Sequence, residues 1–437
     1  MTAFGLSIFV AYLLLFCFLT VKNSAYALLA IFCLFGLEQW GAIYSPFIAQ
    51  NPEVLNFSVF ALAVYAWFKV PTGTSYTLLK NPVWIFWVLM IIWIMITSLW
   101  APRDVQSLEL FIYRLPYLFI AIYLAPTVIQ RTEQLTKVLD AFTILGGLLV
   151  ILFAFIPDWE GRGIVSQVDD SEEVSLPLAL SLFSGYVILV TFIRITARPV
   201  RIIWAVIVFV SGFVLISKTG SRGQFIFTLV ALIFCLPAKW KYFSVNKAMV
   251  YGITLLIAAL SYSLVVFTEN SVSSRMSFAE RSTDARLDKI ALVLEAWSSD
   301  TVSLIFGLGS SASYSNPLGG GYPHNVPLEI LGELGIVGFL IFLAIVVTVL
   351  RYAFVKQYKF TRNDRTNTDF TAIFSCWFLA FLVSLKQGSL ISSPDLFMFS
   401  ILAVQYANIS SLSNSRRKIR RQRTHNRLYK VQSENLG

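Results

Sequence analysis

Two clusters, far apart along the chain, combine residue types that can hold a phosphate and move a proton. The first is Thr219-Gly220-Ser221-Arg222-Gly223. The planar guanidinium of Arg222 can fork onto two oxygens of a phosphate or diphosphate, and the flanking glycines expose backbone N–H groups to an anion. The same arginine, set between two apolar stretches, would equally serve as an interfacial anchor. The second cluster is Pro323-His324-Asn325, which follows glycines at 307, 309, 319, 320 and 321. Glycine lets a backbone turn sharply and approach a ligand closely. Asn325 is a good N-cap, Pro327 is tolerated in a first helical turn, and Val326, Leu328, Ile330, Leu331 and Leu334 open an apolar helix. His324 therefore stands just before a helix N-terminus. An imidazole with an ordinary pKa of about 6.5 can accept a proton at neutral pH, and a helix N-terminus favours its neutral form. A loop histidine can also be a plain surface residue; the other histidine, His425, lies in a basic tail.

Other candidates are weaker. The segment ARLDKIALVLEAW, residues 285–297, has helical periodicity, with Leu287, Ile290, Leu294 and Trp297 on one face and Asp288, Lys289 and Glu295 off it. It reads as an amphipathic helix on the bundle surface or over a cavity mouth, with Arg286 at its start. Arg114 lies a few residues into an apolar run, where an arginine is either functional or paired with a carboxylate such as Asp140. Lys218 and Lys386 read as interfacial anchors. Asp169-Asp170 resembles a metal-binding acidic pair, but with no histidine partner and further acids nearby it reads as a solvated loop. Cys17, Cys33, Cys235 and Cys376 fall inside apolar runs, with neither a disulfide framework nor a CxxC motif.

The elements that must position these residues are membrane helices. The chain of 437 residues is 57% hydrophobic and only 13% charged, against about 25% charged in soluble domains. Apolar runs at 3–21, 25–39, 54–70, 83–99, 110–129, 136–157, 175–195, 202–217, 224–238, 248–267, 334–354, 371–385 and 394–410 predict roughly thirteen spans. The N-terminal run, with no basic flank and no cleavage pattern, reads as a first span rather than a signal peptide. Loops 22–24, 69–80, 130–137, 194–201, 239–247 and 351–365, together with the tail 413–437, hold about 24 of the 34 basic residues and are therefore expected on the cytoplasmic side. The tail reads as a headgroup-facing anchor rather than a nucleic-acid site. The opposite side carries an acidic segment at 158–175, the TGSRG turn and a long loop at about 268–333. No internal repeat of the kind that builds solenoids or inverted-repeat transporters is visible.

In order, spacing and side of the membrane, TGSRG between two spans followed by R-x10-W, GLG and PHNVPLEILGELGIVGFL resembles the O-antigen ligase and Wzy-type polysaccharide polymerase superfamily. The resemblance covers roughly residues 205–345, and the HN-x2-LE-x3-E-x-G-x2-G stretch is its most specific part. It implies an all-α integral membrane protein, a polytopic bundle of about 12–13 helices with one long periplasmic loop containing helices, similar to C-type glycosyltransferases. It implies location in a bacterial inner membrane, the active site facing the periplasm and the C-terminus cytoplasmic. Thirteen spans would put the N-terminus outside, whereas the family's ligases tend to have twelve and both ends cytoplasmic.

The activity implied is transfer of a glycan from undecaprenyl pyrophosphate to an acceptor glycan, with neither metal, nucleotide sugar nor other cofactor. The acceptor is the next lipid-linked repeat unit in a polymerase, which is the preferred reading, or lipid A-core in a ligase. Carried over by motif, Arg222 and Arg286 match the diphosphate-binding arginines and His324 the catalytic histidine. Ser221, Gly223, Asn325, Glu329 and Arg114 are assigned supporting roles, and Glu333 also falls within the motif. Partners beyond donor, acceptor and membrane lipid would be a chain-length regulator or export proteins. The expected organisation is an N-terminal bundle at 1–201, a core at 202–354, C-terminal helices at 355–412 and the tail at 413–437. Two other classes stay open: a transporter or flippase of lipid-linked glycan, and a non-catalytic subunit of an export complex. The clustering of polar residues on one face argues against a transporter, which binds near the midplane.

Overall fold

A computed structural model describes residues 2–51, 53–70, 78–105, 107–156, 159–160, 163–164, 177–194, 199–235, 287–359 and 365–411. The helices in chain order are α1 (Thr2–Lys22), α2 (Ala27–Tyr44), the short α3 (Pro46–Gln50), α4 (Glu53–Phe68), α5 (Pro82–Thr97) and α6 (Ser107–Thr127). Next come α7 (Thr132–Phe155), α8 (Pro177–Ile193), α9 (Pro199–Lys218) and α10 (Arg222–Cys235). The series ends with α11 (287–297), α12 (Thr301–Phe306), α13 (Val326–Lys359), α14 (Arg365–Ser384) and α15 (394–411). Among the described residues the only strands are a two-residue antiparallel pair, Trp159–Glu160 with Gly163–Ile164.

This is a polytopic helical membrane protein. Six described helices are long and apolar enough to cross a membrane, and five shorter apolar helices accompany them. Helices prevail because lipid cannot satisfy backbone N–H and C=O groups, so each segment must satisfy its own. Most expected spans coincide with observed helices to within a few residues; those at 334–354 and 371–385 start earlier, at Val326 and Arg365, and 248–267 lies outside the described residues, as do Asp169-Asp170 and the basic tail.

Small residues bring the helices close. Gly212 of α9 faces Ser184 of α8, whose hydroxyl donates to the Gly212 carbonyl at 3.0 Å; a β-carbon on Gly212 would stand 2.7 Å from Ile188. Such close approach substitutes for the hydrophobic drive that lipid removes. Trp87 of α5 stacks on Phe397 of α15 and donates to the Ser400 hydroxyl at 2.7 Å, fastening α5 to α15.

The two ends of the bundle differ. At one end Arg194, just after α8, is buried and binds Asp140 of α7 at 2.6 Å and Asp369 of α14, which also accepts from Thr136 of α7 and from Tyr406 of α15 at 3.4 Å. A buried arginine is tolerable in such a setting only with anionic partners. Asp140 thus belongs to Arg194, which corrects the expectation that it could pair with Arg114. The other end gathers the loops after α2, α5, α9 and α14, together with α11, α12 and the start of α13.

Candidate functional site

The site is assembled on the first three turns of α13. Asn325 caps this helix as expected: its Oδ1 accepts from Leu328 N at 3.1 Å and its carbonyl from Glu329 N at 2.9 Å. The helix is interrupted at Gly335, whose φ of 68° and ψ of −171° break the helical path. The carbonyl of Leu334, next to the break, is taken by the indole N–H of Trp93 on α5 at 2.9 Å. The stub 326–334 is therefore a separate rod, set on top of the span that continues to Lys359.

Backbone fastens this stub to the glycine-rich loop. Leu308 N donates to Gly332 O at 2.9 Å and Gly309 N to Glu333 O at 3.0 Å. Gly307 has φ of +83°, and a β-carbon on it would stand 2.2 Å from the Glu333 carbonyl; one on Gly335 would stand 2.4 Å from the Ile305 carbonyl. Only glycine combines that torsion with that closeness.

The two glutamates of the motif are buried, one turn apart, and each fixes a different segment. Glu333 accepts from Ser311 N at 2.7 Å, from Ser313 N at 3.2 Å and from the Ser313 hydroxyl. Glu329 accepts from the Ser389 hydroxyl at 2.6 Å and from Leu390 N at 3.2 Å. Buried carboxyl oxygens must find donors within the protein, so these two side chains act as clamps on 311–313 and 389–390. A third tether comes from outside the motif: Asp104, after α5, accepts from Asn316 N at 3.0 Å and from the Ser315 hydroxyl at 2.8 Å. The Asn316 N–H, with that hydroxyl, holds the Asp104 carboxyl below the usual range.

His324 is half-buried and adopts φ of +58°, a left-handed conformation that costs a residue with a β-carbon about 1–3 kcal/mol. Its ring packs on Tyr322, with centroids 4.3 Å apart, and Tyr322 lies 6.0 Å from Tyr314. Burial, with the charges of Glu329 and Glu333, pushes the Tyr314 phenol up to about 12, so it remains a protonated donor at neutral pH.

The TGSRG turn joins this assembly through residues 385–386. The side-chain amide of Asn325 donates to Leu385 O at 2.9 Å. The next residue, Lys386, lies across Gly223: a β-carbon there would meet the Lys386 Nζ at 2.6 Å and Cδ at 2.9 Å. Three segments thus meet, one ending in His324-Asn325, one carrying Leu385-Lys386 and one carrying Arg222-Gly223. Arg222 is the first residue of α10 and exposed; Ser221 before it is buried. Gly220 supplies the left-handed torsion of the turn, φ of 65°.

The remaining candidates fall as follows. Arg286 lies outside the described residues, and α11 begins at the next position. The face that α11 buries is largely the predicted one, with Ile290, Leu294 and Trp297 half-buried, but Leu287 falls outside it and Val293 joins it. Val293 is buried, its Cγ1 standing 2.4 Å from where a β-carbon of Gly332 would be, whereas Leu287 is 58% exposed. Periodicity found the helix, but only the room above Gly332 selects which residue enters. Arg114 sits half-buried on α6 at this same end, its guanidinium over the Tyr113 ring; among the described residues it makes no ion pair, and no hydrogen bond ties it to the His324 segment. In the sequence Lys386 reads as an anchor, and nothing local marks Asp104 or Ser389, whose partners lie far along the chain.

None of the curated proteins matches the chain. Residues 207–343 span the second half of α9, α10, the described part of the long loop and the first half of α13, and so contain both the TGSRG turn and the His324 segment. That stretch matches the model of the O-antigen ligase (Wzy_C) domain.

Proposed function

We propose that this protein transfers an oligosaccharide or polysaccharide from undecaprenyl pyrophosphate to a hydroxyl of an acceptor glycan, at the periplasmic face of a bacterial inner membrane. The observation that carries this reading is the meeting of the His324-Asn325 segment, Leu385-Lys386 and Arg222-Gly223 at one end of the bundle. A proton acceptor and a diphosphate-binding cation at a membrane surface are what such a transfer needs.

In this mechanism Arg222 and Arg286 hold the donor diphosphate and stabilise the charge that grows as the glycosidic bond breaks. His324 takes the proton of the acceptor hydroxyl, whose oxygen attacks the anomeric carbon. The bond from that carbon to the phosphate oxygen breaks, and undecaprenyl diphosphate leaves with the electron pair. Direct displacement inverts the anomeric carbon. Asn325 and Glu329 hold the histidine segment and the 385–390 turn in register, and Ser221 and Gly223 shape the turn that carries Arg222. The diphosphate is itself a good leaving group, so the reaction draws on no nucleotide.

Incubating the purified protein with a lipid-linked glycan and an acceptor tests the reading. Formation of a longer or transferred glycan, with release of undecaprenyl diphosphate, is the expected result. Movement of unmodified lipid-linked glycan across a vesicle membrane, with no transfer, would instead mark a flippase. Ligase and polymerase are separated by deletion: single repeats left on lipid A-core mean polymerase, and full-length glycan stranded on the carrier means ligase.

A further inference from the structure

We propose that Lys386 is a further cation of the donor site, its ammonium holding the diphosphate beside Arg222; this rests on the glycosyl-transfer reading above. A lysine at a membrane surface ordinarily extends toward water along its own helix. Lys386, in the turn after α14, instead lies over a glycine at the start of α10. A β-carbon on Gly223 would stand 2.6 Å from Nζ, 2.9 Å from Cδ and 3.2 Å from Cε. The ammonium is thereby brought to the first turn of α10, next to Arg222, where backbone N–H groups have no intrahelical acceptor. The glycine at 223 has a physical reason in this arrangement, since any side chain there would displace the lysine.

Two further groups around this turn point to an oxygen-rich ligand. The Ser221 hydroxyl and the Gln224 amide nitrogen are both buried and have no hydrogen-bond partner among the described residues. Buried donors without acceptors are rare in folded proteins and costly when unfilled. A diphosphate seated at the turn offers them acceptors, and offers Lys386 and Arg222 charge. The two cations differ usefully, since a guanidinium forks onto two oxygens whereas an ammonium is a point charge with three donors.

The backbone of Lys386 is also set from the histidine side. Asn325 donates to Leu385 O at 2.9 Å, and Glu329 accepts from the Ser389 hydroxyl and Leu390 N. The lysine thus links the segment that would deprotonate the acceptor to the turn that would hold the leaving group.

The test is steady-state kinetics of the full chain in proteoliposomes, with an undecaprenyl-diphosphate-linked glycan as donor and an acceptor glycan. Lys386→Met should raise the donor KM about tenfold and leave the acceptor KM unchanged, and inorganic pyrophosphate should lose potency as a competitor by the same factor. Lys386→Arg should restore donor KM toward wild type, which a packing role would not predict; equal impairment of both variants overturns the assignment. An unchanged donor KM in Lys386→Met, when Arg222→Ala raises it, overturns the role of Lys386 and leaves glycosyl transfer standing. An unchanged donor KM in both overturns the diphosphate site itself. Lys386→Gln, which keeps a polar side chain, serves the same comparison if the methionine variant is not recovered.

Discussion

The side-chain amide of Asn325 donates to the main-chain carbonyl of Leu385 across 2.9 Å, while its oxygen caps the helix that begins at Val326. One side chain therefore performs two separable tasks. Asn325→Asp keeps the cap, since a carboxylate accepts as well as an amide oxygen, but it cannot donate and sets a negative charge against a carbonyl. Helix content and thermal unfolding should remain near wild type, while transfer activity falls about tenfold to a hundredfold. Loss of stability in step with activity would show that the bond to Leu385 is merely structural.

His324→Asn is the sharpest removal of the proposed base. Asparagine tolerates the left-handed conformation that His324 holds at φ of +58°, so the backbone keeps its path while the imidazole is lost. Transfer should fall by about 10²–10⁴-fold with normal insertion in the membrane. Near-normal glycan chains from this variant would remove histidine from the mechanism.

Gly307→Ala should damage the fold rather than the chemistry. The new methyl group would stand 2.2 Å from the Glu333 carbonyl at a φ of +83°, and the torsion alone costs about 1–3 kcal/mol. Lower yield and a lower Tm in detergent are expected; a variant as stable as wild type would mean that the loop is not held against the stub of α13.

At the far end, the two carboxylates of Arg194 should respond unequally. The side chain of Asp369 is 1% exposed and that of Asp140 43%. Asp369→Asn leaves a buried arginine undercompensated and should cost about 3–5 kcal/mol, whereas Asp140→Asn should cost about 0–1 kcal/mol. Thermal unfolding of the two variants checks the order, which equal losses would contradict.

The Asp104 tether carries a pH signature. Its carboxyl is held below the usual range by Asn316 N–H and the Ser315 hydroxyl. A lowered folded pKa means that the contribution is fully present above the unfolded value of about 3.9, and is lost as pH falls through the lower folded value. The Asn316 amide should stay protected from hydrogen exchange throughout the neutral and mildly acidic range, and exchange faster in Asp104→Ala. Equal exchange in both proteins at pH 7 would remove the tether.

The spans were legible in the sequence because twenty or so apolar residues leave few alternatives to a membrane helix. The TGSRG turn and the capped start of α13 were legible because glycine, proline and asparagine at fixed offsets impose backbone shape locally. What joins them was not. The partners of Asn325, Glu329 and Asp104 lie far along the chain, and a hydrogen bond to a distant main-chain group leaves no trace in local pattern. The same holds for Arg194, which in sequence is simply one more basic residue between two spans. On α11, Leu287 satisfied the helical period yet stays exposed, because the burial of Val293 is decided by the missing side chain at Gly332.

The contact of Leu308 and Gly309 with Gly332 and Glu333 is made by main-chain atoms. Its spacing is therefore set by the absence of side chains at Gly307 and Gly335, and not by the identity of any side chain farther along the loop. The two halves of the loop are thus aligned by backbone alone, and the tethers at 315–316 and the ring stack at 314–324 are laid upon that fixed frame.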